Sequence, residues 1–177
     1  MSKILKKRGE GYWEESKEKI GTHKKGLYAS STKFTRSSGN EKSLMSGIDI
    51  SDLHYISASD KISIIKEGVS KNDLIEIKAE SGLDYETLSK ILSISRATLH
   101  NKKARQKFDQ ATSERILLLA DIVGYGQSVF EDKDRFNKWL KKPNKALGEK
   151  TPVELMETIY GIQEVKKEIG RIEYGVF

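Results

Sequence analysis

An all-α fold is predicted for this chain on three observations. Capping residues recur ahead of apolar positions spaced three or four apart from about residue 59 onward. No region is rich in strand-like alternation. The first 45 residues are too poor in apolar groups to offset the entropy of ordering them. The composition agrees: 36% hydrophobic and 33% charged over 177 residues suggests a folded part joined to a segment that buries little. The expected organisation is a basic, mostly unstructured N-terminal arm over residues 1–57 and two small helical domains, 58–122 and 123–177.

The charge pattern marks the arm. Residues 1–45 carry eleven Lys/Arg and five Glu, 11 − 5 = +6, which is the whole net charge; the remaining 132 residues hold 21 bases and 21 acids. Two readings of the arm stay open, a solvated leader and a basic strand lying on nucleic-acid phosphate. Absence of cysteine excludes a disulfide framework and a thiolate metal site. No apolar run approaches the ~18 residues of a membrane span and none follows the basic start as in a signal peptide. A cytoplasmic location is expected, with no membrane association.

The elements follow in order. Ser59 is expected to cap a short helix with Ile62 and Ile65 inward, ending at Gly68, although alternation of Ile62 and Ile64 leaves a strand open. Ser70-Lys71-Asn72-Asp73 is a capping-box pattern, followed by Leu74, Ile75 and Ile77 up to Gly82. Asp84 caps residues 85–92 and Ser95 caps residues 96–103. Thr112 or Ser113 starts the most apolar helix, through Ile116, Leu117, Leu119, Ala120 and Val123. Phe136, Trp139 and Leu140 lie at helical spacing within residues 133–140. Thr151-Pro152-Val153-Glu154 reads as N-cap, N1 proline and N3 glutamate, with Leu155, Met156 and Ile159 as the buried face. Gly161 is expected to close that helix, and Val165 and Ile169 to mark a last one ending at Gly170.

One window carries chemistry. Leu88, Ile91 and Leu92 form an apolar seam, Ile94 plugs a tight turn, and Leu99 faces back from the next helix. Such spacing holds two helices near a right angle and leaves the outer face of the second free for a major groove. From Ser95 to Phe108 there are five cations (Arg96, Lys102, Lys103, Arg105, Lys107), one histidine and no acid. The leading residues of such a helix meet base edges, where arginine bonds guanine bidentately, while later lysines suit phosphate. The candidate DNA-contacting residues are Thr87, Ser95, Arg96, Ala97, Thr98, His100, Asn101 and Lys103. Ser93 stands where many such turns carry glycine, at a cost of roughly 1 kcal/mol if left-handed, so a slightly opened turn is expected.

Nothing in the chain composes a catalytic site. His23, His54 and His100 have no partner at metal-ligand spacing, and there is no phosphate loop, nucleophile elbow or cysteine nucleophile. No enzymatic activity, metal or cofactor is expected. The last nine residues, IGRIEYGVF, are unusually apolar for a chain end. Either they pack on their own domain or a partner receives them.

From about Ile64 to Phe177 the chain resembles the Xre/ParS-type antitoxins that partner RES-domain toxins. The resemblance rests on Ile65-Lys66-Glu67-Gly68-Val69-Ser70, the window ending Ile94-Ser95-Arg96-Ala97-Thr98-Leu99, and Trp139-Leu140 with Pro143-Asn144-Lys145-Ala146-Leu147-Gly148. It continues through Thr151-Pro152-Val153-Glu154-Leu155-Met156 to the final Gly170-Arg171-Ile172-Glu173-Tyr174-Gly175-Val176-Phe177. It implies a helix-turn-helix DNA-binding domain followed by a toxin-binding domain. It also implies repression of the chain's own operon, and a toxin that degrades NAD or transfers ADP-ribose from it. On this resemblance the C-terminal region covers the toxin's cleft, with Arg171, Ile172, Glu173, Tyr174, Gly175, Val176 and Phe177 as the candidate toxin-contacting residues. Tyr and Phe bring large apolar area with few torsions to freeze. Gly170 and Gly175 allow a close bend, and Arg171 with Glu173 can pair across a polar rim.

The partners expected are therefore a cognate RES-domain toxin, operator double-stranded DNA and a second copy of the chain. Two rivals remain. One is a stand-alone repressor whose C-terminal domain serves dimerisation only; the other is a protein-interaction module whose helix-turn-helix is structural.

Overall fold

Capping side chains delimit nearly every helix in the computed structural model, which describes residues 48–176. The expectations for residues 1–45 and for Phe177 lie outside the described residues. Eight α-helices are present and no strand, among the described residues. A 3-10 turn, Ile50–Asp52, precedes α1 (Ala58–Glu67), α2 (Lys71–Ser81), α3 (Tyr85–Leu92), α4 (Arg96–Asn101) and α5 (Gln110–Phe130). Then come α6 (Lys133–Leu140), a 3-10 turn Lys145–Leu147, α7 (Pro152–Leu155) and α8 (Ile159–Glu173). No helix among these is long and apolar enough to cross a membrane.

Helix α5 is the axis. Its Ile116, Leu119, Ala120, Ile122 and Val123 are fully buried, and the first 3-10 turn, α1, α2, α3, α6 and α8 all pack on it. Burying each Leu or Ile contributes about 1.5–3 kcal/mol, so this one helix organises the core. The boundary expected between residues 122 and 123 falls inside this unbroken helix. Within the expected arm, Ile50 and Leu53 are buried against the core, beside α5.

Several expected caps shift. Ser57, not Ser59, caps α1, its hydroxyl accepting from the Asp60 amide, and Ile64 rather than Ile62 is buried. The α1 segment is helical, so the strand left open there does not form. Ile75 is exposed, whereas Leu74 and Ile77 are buried. Asp109 caps α5, three residues ahead of Thr112, whose amide and hydroxyl both bond its carboxylate. Gly161 does not end a helix: it lies in the first turn of α8, where its amide donates to Thr158 Oγ1. Any Cβ there would lie 1.8 Å from the Leu155 carbonyl oxygen, so close backbone approach selects the glycine. Gly170 is likewise interior, and α8 continues to Glu173.

Candidate functional site

The turn between α3 and α4 is closed, not opened. Ser93 takes φ 54, ψ 39. The Ile94 amide bonds the Ser89 carbonyl at 3.0 Å and the Ser93 amide bonds Lys90 at 3.1 Å, the paired bonds of a Schellman ending. Leu88, Ile91, Leu92 and Leu99 are buried as the seam requires, and Ile94 packs beside them. Ser95 caps α4, accepting from the Thr98 amide at 3.0 Å, and its hydroxyl meets that of Thr98 at 2.8 Å.

Helix α4 is shorter than expected, ending at Asn101, with Lys102 already extended. Lys103 therefore lies on the following loop. Ser95, Arg96, Ala97, Thr98, His100, Asn101 and Lys103 are all exposed, while Thr87 is half-buried in the first turn of α3. Ala97 and Asn101, one turn apart, centre the face opposite Leu99. Arg96 reaches Glu86 at 3.5 Å with both side chains mostly exposed, an arrangement worth at most about 1 kcal/mol and readily exchanged for an external partner. The His100 ring leans on Tyr85, centroids 4.9 Å apart.

Two features here were not visible in sequence. Lys71, almost fully buried, donates to the Leu99 carbonyl at 2.5 Å and lies 4.4 Å over the Tyr85 ring, so it pins the end of α4 to α2 and α3. Sequence shows it only as a filler inside a capping box. The basic loop is fixed through its backbone: the Lys71 and Asn72 amides bond the Gln106 and Ala104 carbonyls, and the Phe108 amide bonds Val69. Lys102 is drawn back over Phe108, 4.7 Å from the ring centroid, which removes one of the five expected cations from the outer face.

At the other end, α8 closes in a second Schellman pattern. Gly175 has φ 65, its amide bonds Ile172 at 3.1 Å and the Val176 amide bonds Arg171 at 2.9 Å. The bend expected from two glycines is made by Gly175 alone. Tyr174 is 80% exposed and Val176 60%. With Ala146, Leu147, Lys167 and Arg171 they line an open groove of about 400 Å³. Ile172 is half-buried. Arg171 pairs with Glu168 at 3.4 Å rather than with Glu173. The Glu173 carboxylate instead accepts from the Tyr125 hydroxyl at 2.5 Å, and burial followed by this bond raises the phenol's pKa.

A buried charge, Asp121 on α5, faces α1 and α8. Lys61 of α1 reaches it at 2.7 Å and Lys166 of α8 at 2.6 Å, while His54 Nδ1 stands 3.6 Å away. Burial alone would raise the Asp121 pKa, but the two ammonium groups outweigh it and the carboxyl stays below its ordinary value. His54 stacks on Tyr125 with centroids 4.1 Å apart, and burial lowers its pKa. These residues are scattered along the chain, so no local pattern announces them.

Residues 60–121 match the model of the antitoxin Xre-like helix-turn-helix domain, and residues 126–175 that of the antitoxin Xre/MbcA/ParS C-terminal toxin-binding domain. The chain is 32% identical over 135 residues to a Prs ADP-ribosylating antitoxin of Sphingobium sp. (strain YBL2), covering 71% of this chain and 85% of the relative. It is 28% identical over 116 residues to the antitoxin Xre of Photorhabdus laumondii, 64% of this chain and 78% of that one. To the antitoxin Xre of Yersinia enterocolitica it is 29% identical over 118 residues, 66% and 80%.

The chain belongs to the Xre/MbcA/ParS antitoxins. It is the antitoxin of a toxin–antitoxin system, with a helix-turn-helix domain carrying α4 and a toxin-binding domain carrying α8. In this antitoxin the two matched segments are joined by residues 122–125 in the middle of α5, so one helix belongs to both.

Proposed function

We propose that this antitoxin neutralises a RES-domain toxin, which degrades NAD or transfers ADP-ribose from it, by laying its C-terminal region across the toxin's active-site cleft. The observation that carries the reading is the exposure of Tyr174 and Val176 on a rigidly capped helix end. Apolar groups held ready at a fixed position lose little entropy on docking. The Sphingobium relative's name, Prs ADP-ribosylating antitoxin, supports ADP-ribosyl chemistry in the toxin–antitoxin pair. The antitoxin is itself non-catalytic and cytoplasmic. As a homodimer it represses its own operon, α4 entering the major groove of each half-site.

Two experiments test this. Co-expression with the protein encoded beside it should give a co-purifying complex and preserve cellular NAD, which the neighbour alone should deplete; a neighbour that neither binds nor consumes NAD defeats the toxin assignment. On the DNA side, Arg96→Ala should relax preference for the operator by about 1–3 kcal/mol. Lys103→Ala should weaken all DNA alike and flatten the salt slope by about one unit. An unchanged specific-to-random ratio in the Arg96 variant would mean that α4 does not read bases through that residue.

A further inference from the structure

The outer face of α8 carries a second aromatic that the terminal motif does not include. Tyr160, in the first turn, is 82% exposed, matching Tyr174 at the far end with 80%. Positions 160, 164, 167, 171 and 174 fall within about 40° of one line at 100° per residue, so Tyr160, Glu164, Lys167, Arg171 and Tyr174 form one straight stripe. All five are exposed, while Ile162, Val165 and Ile169 on the opposite side are buried. At about 1.5 Å per residue the two rings stand roughly 21 Å apart.

Between the rings the charges cancel. Lys167 bonds Glu164 at 2.6 Å and Arg171 reaches Glu168 at 3.4 Å. With two cations against two acids, the strip has no excess positive charge to draw a phosphate backbone. Two exposed rings separated by balanced charges suit a protein surface rather than a polyanion. Tyrosine and arginine are among the residues that most often dominate such interfaces.

We infer that the toxin interface of this antitoxin extends along the whole α8 stripe, with Tyr160 as a second anchor about 21 Å from the tail. The occupant follows from continuity: the stripe lies inside the segment matched as toxin-binding, and its C-terminal half walls the groove beside Tyr174 and Val176. The inference rests on the reading that this region grips a toxin. It assigns the tail to covering the cleft and Tyr160 to affinity and partner choice outside it. Such a division allows binding without inhibition.

The test uses the full-length antitoxin and a catalytically inert form of the protein encoded beside it, by calorimetry. Tyr160→Ala and Tyr174→Ala should each weaken binding about tenfold or more. Their effects should add in the double variant, because the sites are well separated. Tyr160→Ala should leave the melting temperature unchanged, since its ring is exposed, and Tyr55→Ala, altering an exposed ring outside the toxin-binding segment, should leave binding unchanged. Full affinity in Tyr160→Ala beside a loss in Tyr174→Ala overturns the extended interface and spares the tail. Lack of binding by the unmodified antitoxin overturns the functional reading beneath both. A shift from dimer to monomer in Tyr160→Ala with toxin affinity intact would give the stripe to a second copy and also overturn the inference.

Discussion

Ser93 holds a left-handed conformation that an L-residue adopts at a cost of roughly 1 kcal/mol, and the closed hydrogen-bond pattern around it shows that the fold supports that strain. Glycine has no such cost. Ser93→Gly should therefore raise unfolding stability by about 0.5–1 kcal/mol, read from denaturant or thermal melts. Operator affinity should not move, because the turn is already closed in the native protein. Weaker operator binding in that variant would show that the Ser93 hydroxyl, which is exposed, contacts DNA itself. The serine was visible in sequence as a departure from the usual glycine; that the turn closes regardless depends on the buried seam below it, which sets the crossing of α3 and α4.

The glycines of α8 make the same point for an element. Gly161 and Gly170 look alike in sequence, each following an apolar face, and both read as helix terminators. Both are interior. A Cβ on Gly161 would strike the Leu155 carbonyl oxygen at 1.8 Å, whereas one on Gly170 would only touch the Tyr125 hydroxyl at 3.4 Å. Gly161→Ala should accordingly lower stability by about 1–3 kcal/mol. Gly170→Ala should be neutral or gain up to about 1 kcal/mol from helix propensity. Equal melting shifts in the two variants would contradict this packing. Most helix starts were legible, because a cap is a bond between neighbours in sequence: Ser70, Asp84, Ser95 and Thr151 all accept from the amides expected. The start of α5 was misplaced because Asp109, Thr112 and Ser113 are all capable caps, and only burial of Thr112 and Ser113 decides among them. The exposed face of α4, Arg96, Ala97, Thr98, His100 and Asn101 opposite Leu99, was legible for the same local reason. Lys71 was not, since its role depends on Leu99 and Tyr85 arriving from elsewhere in the chain.

Across the molecule, the Asp121 cluster ties α1, α5, α8 and the segment before α1 together, and it makes stability depend on pH. Burial lowers the His54 pKa below its ordinary 6.5, so the unfolded chain takes up a proton there more readily than the folded one. Stability present above about pH 6.5 is then lost as the pH falls below that value. Asp121, held below 3.8, adds a further loss only near and below pH 4. Thermal melts from pH 7.5 to 5 should show a decline that His54→Gln flattens; an unchanged slope would remove His54 from the account. The same cluster anchors α8 independently of its tail, through Lys166 and through the bond from Tyr125 to Glu173. Deleting residues 174–177 therefore tests how separable the two activities are. Among the described residues, the deletion removes the hydrogen bonds made by the Tyr174, Gly175 and Val176 amides and two largely exposed side chains, Tyr174 and Val176, which bury little. The melting free energy should change by less than about 1.5 kcal/mol, below the gain from burying one large side chain, and operator binding should persist. The toxin should remain bound through the rest of α8 yet escape inhibition, so NAD should fall in cells that carry the pair. Full protection by the truncated antitoxin would mean that the cleft is covered by some other part of the molecule, and a collapse in melting temperature would mean that the tail packs on its own domain.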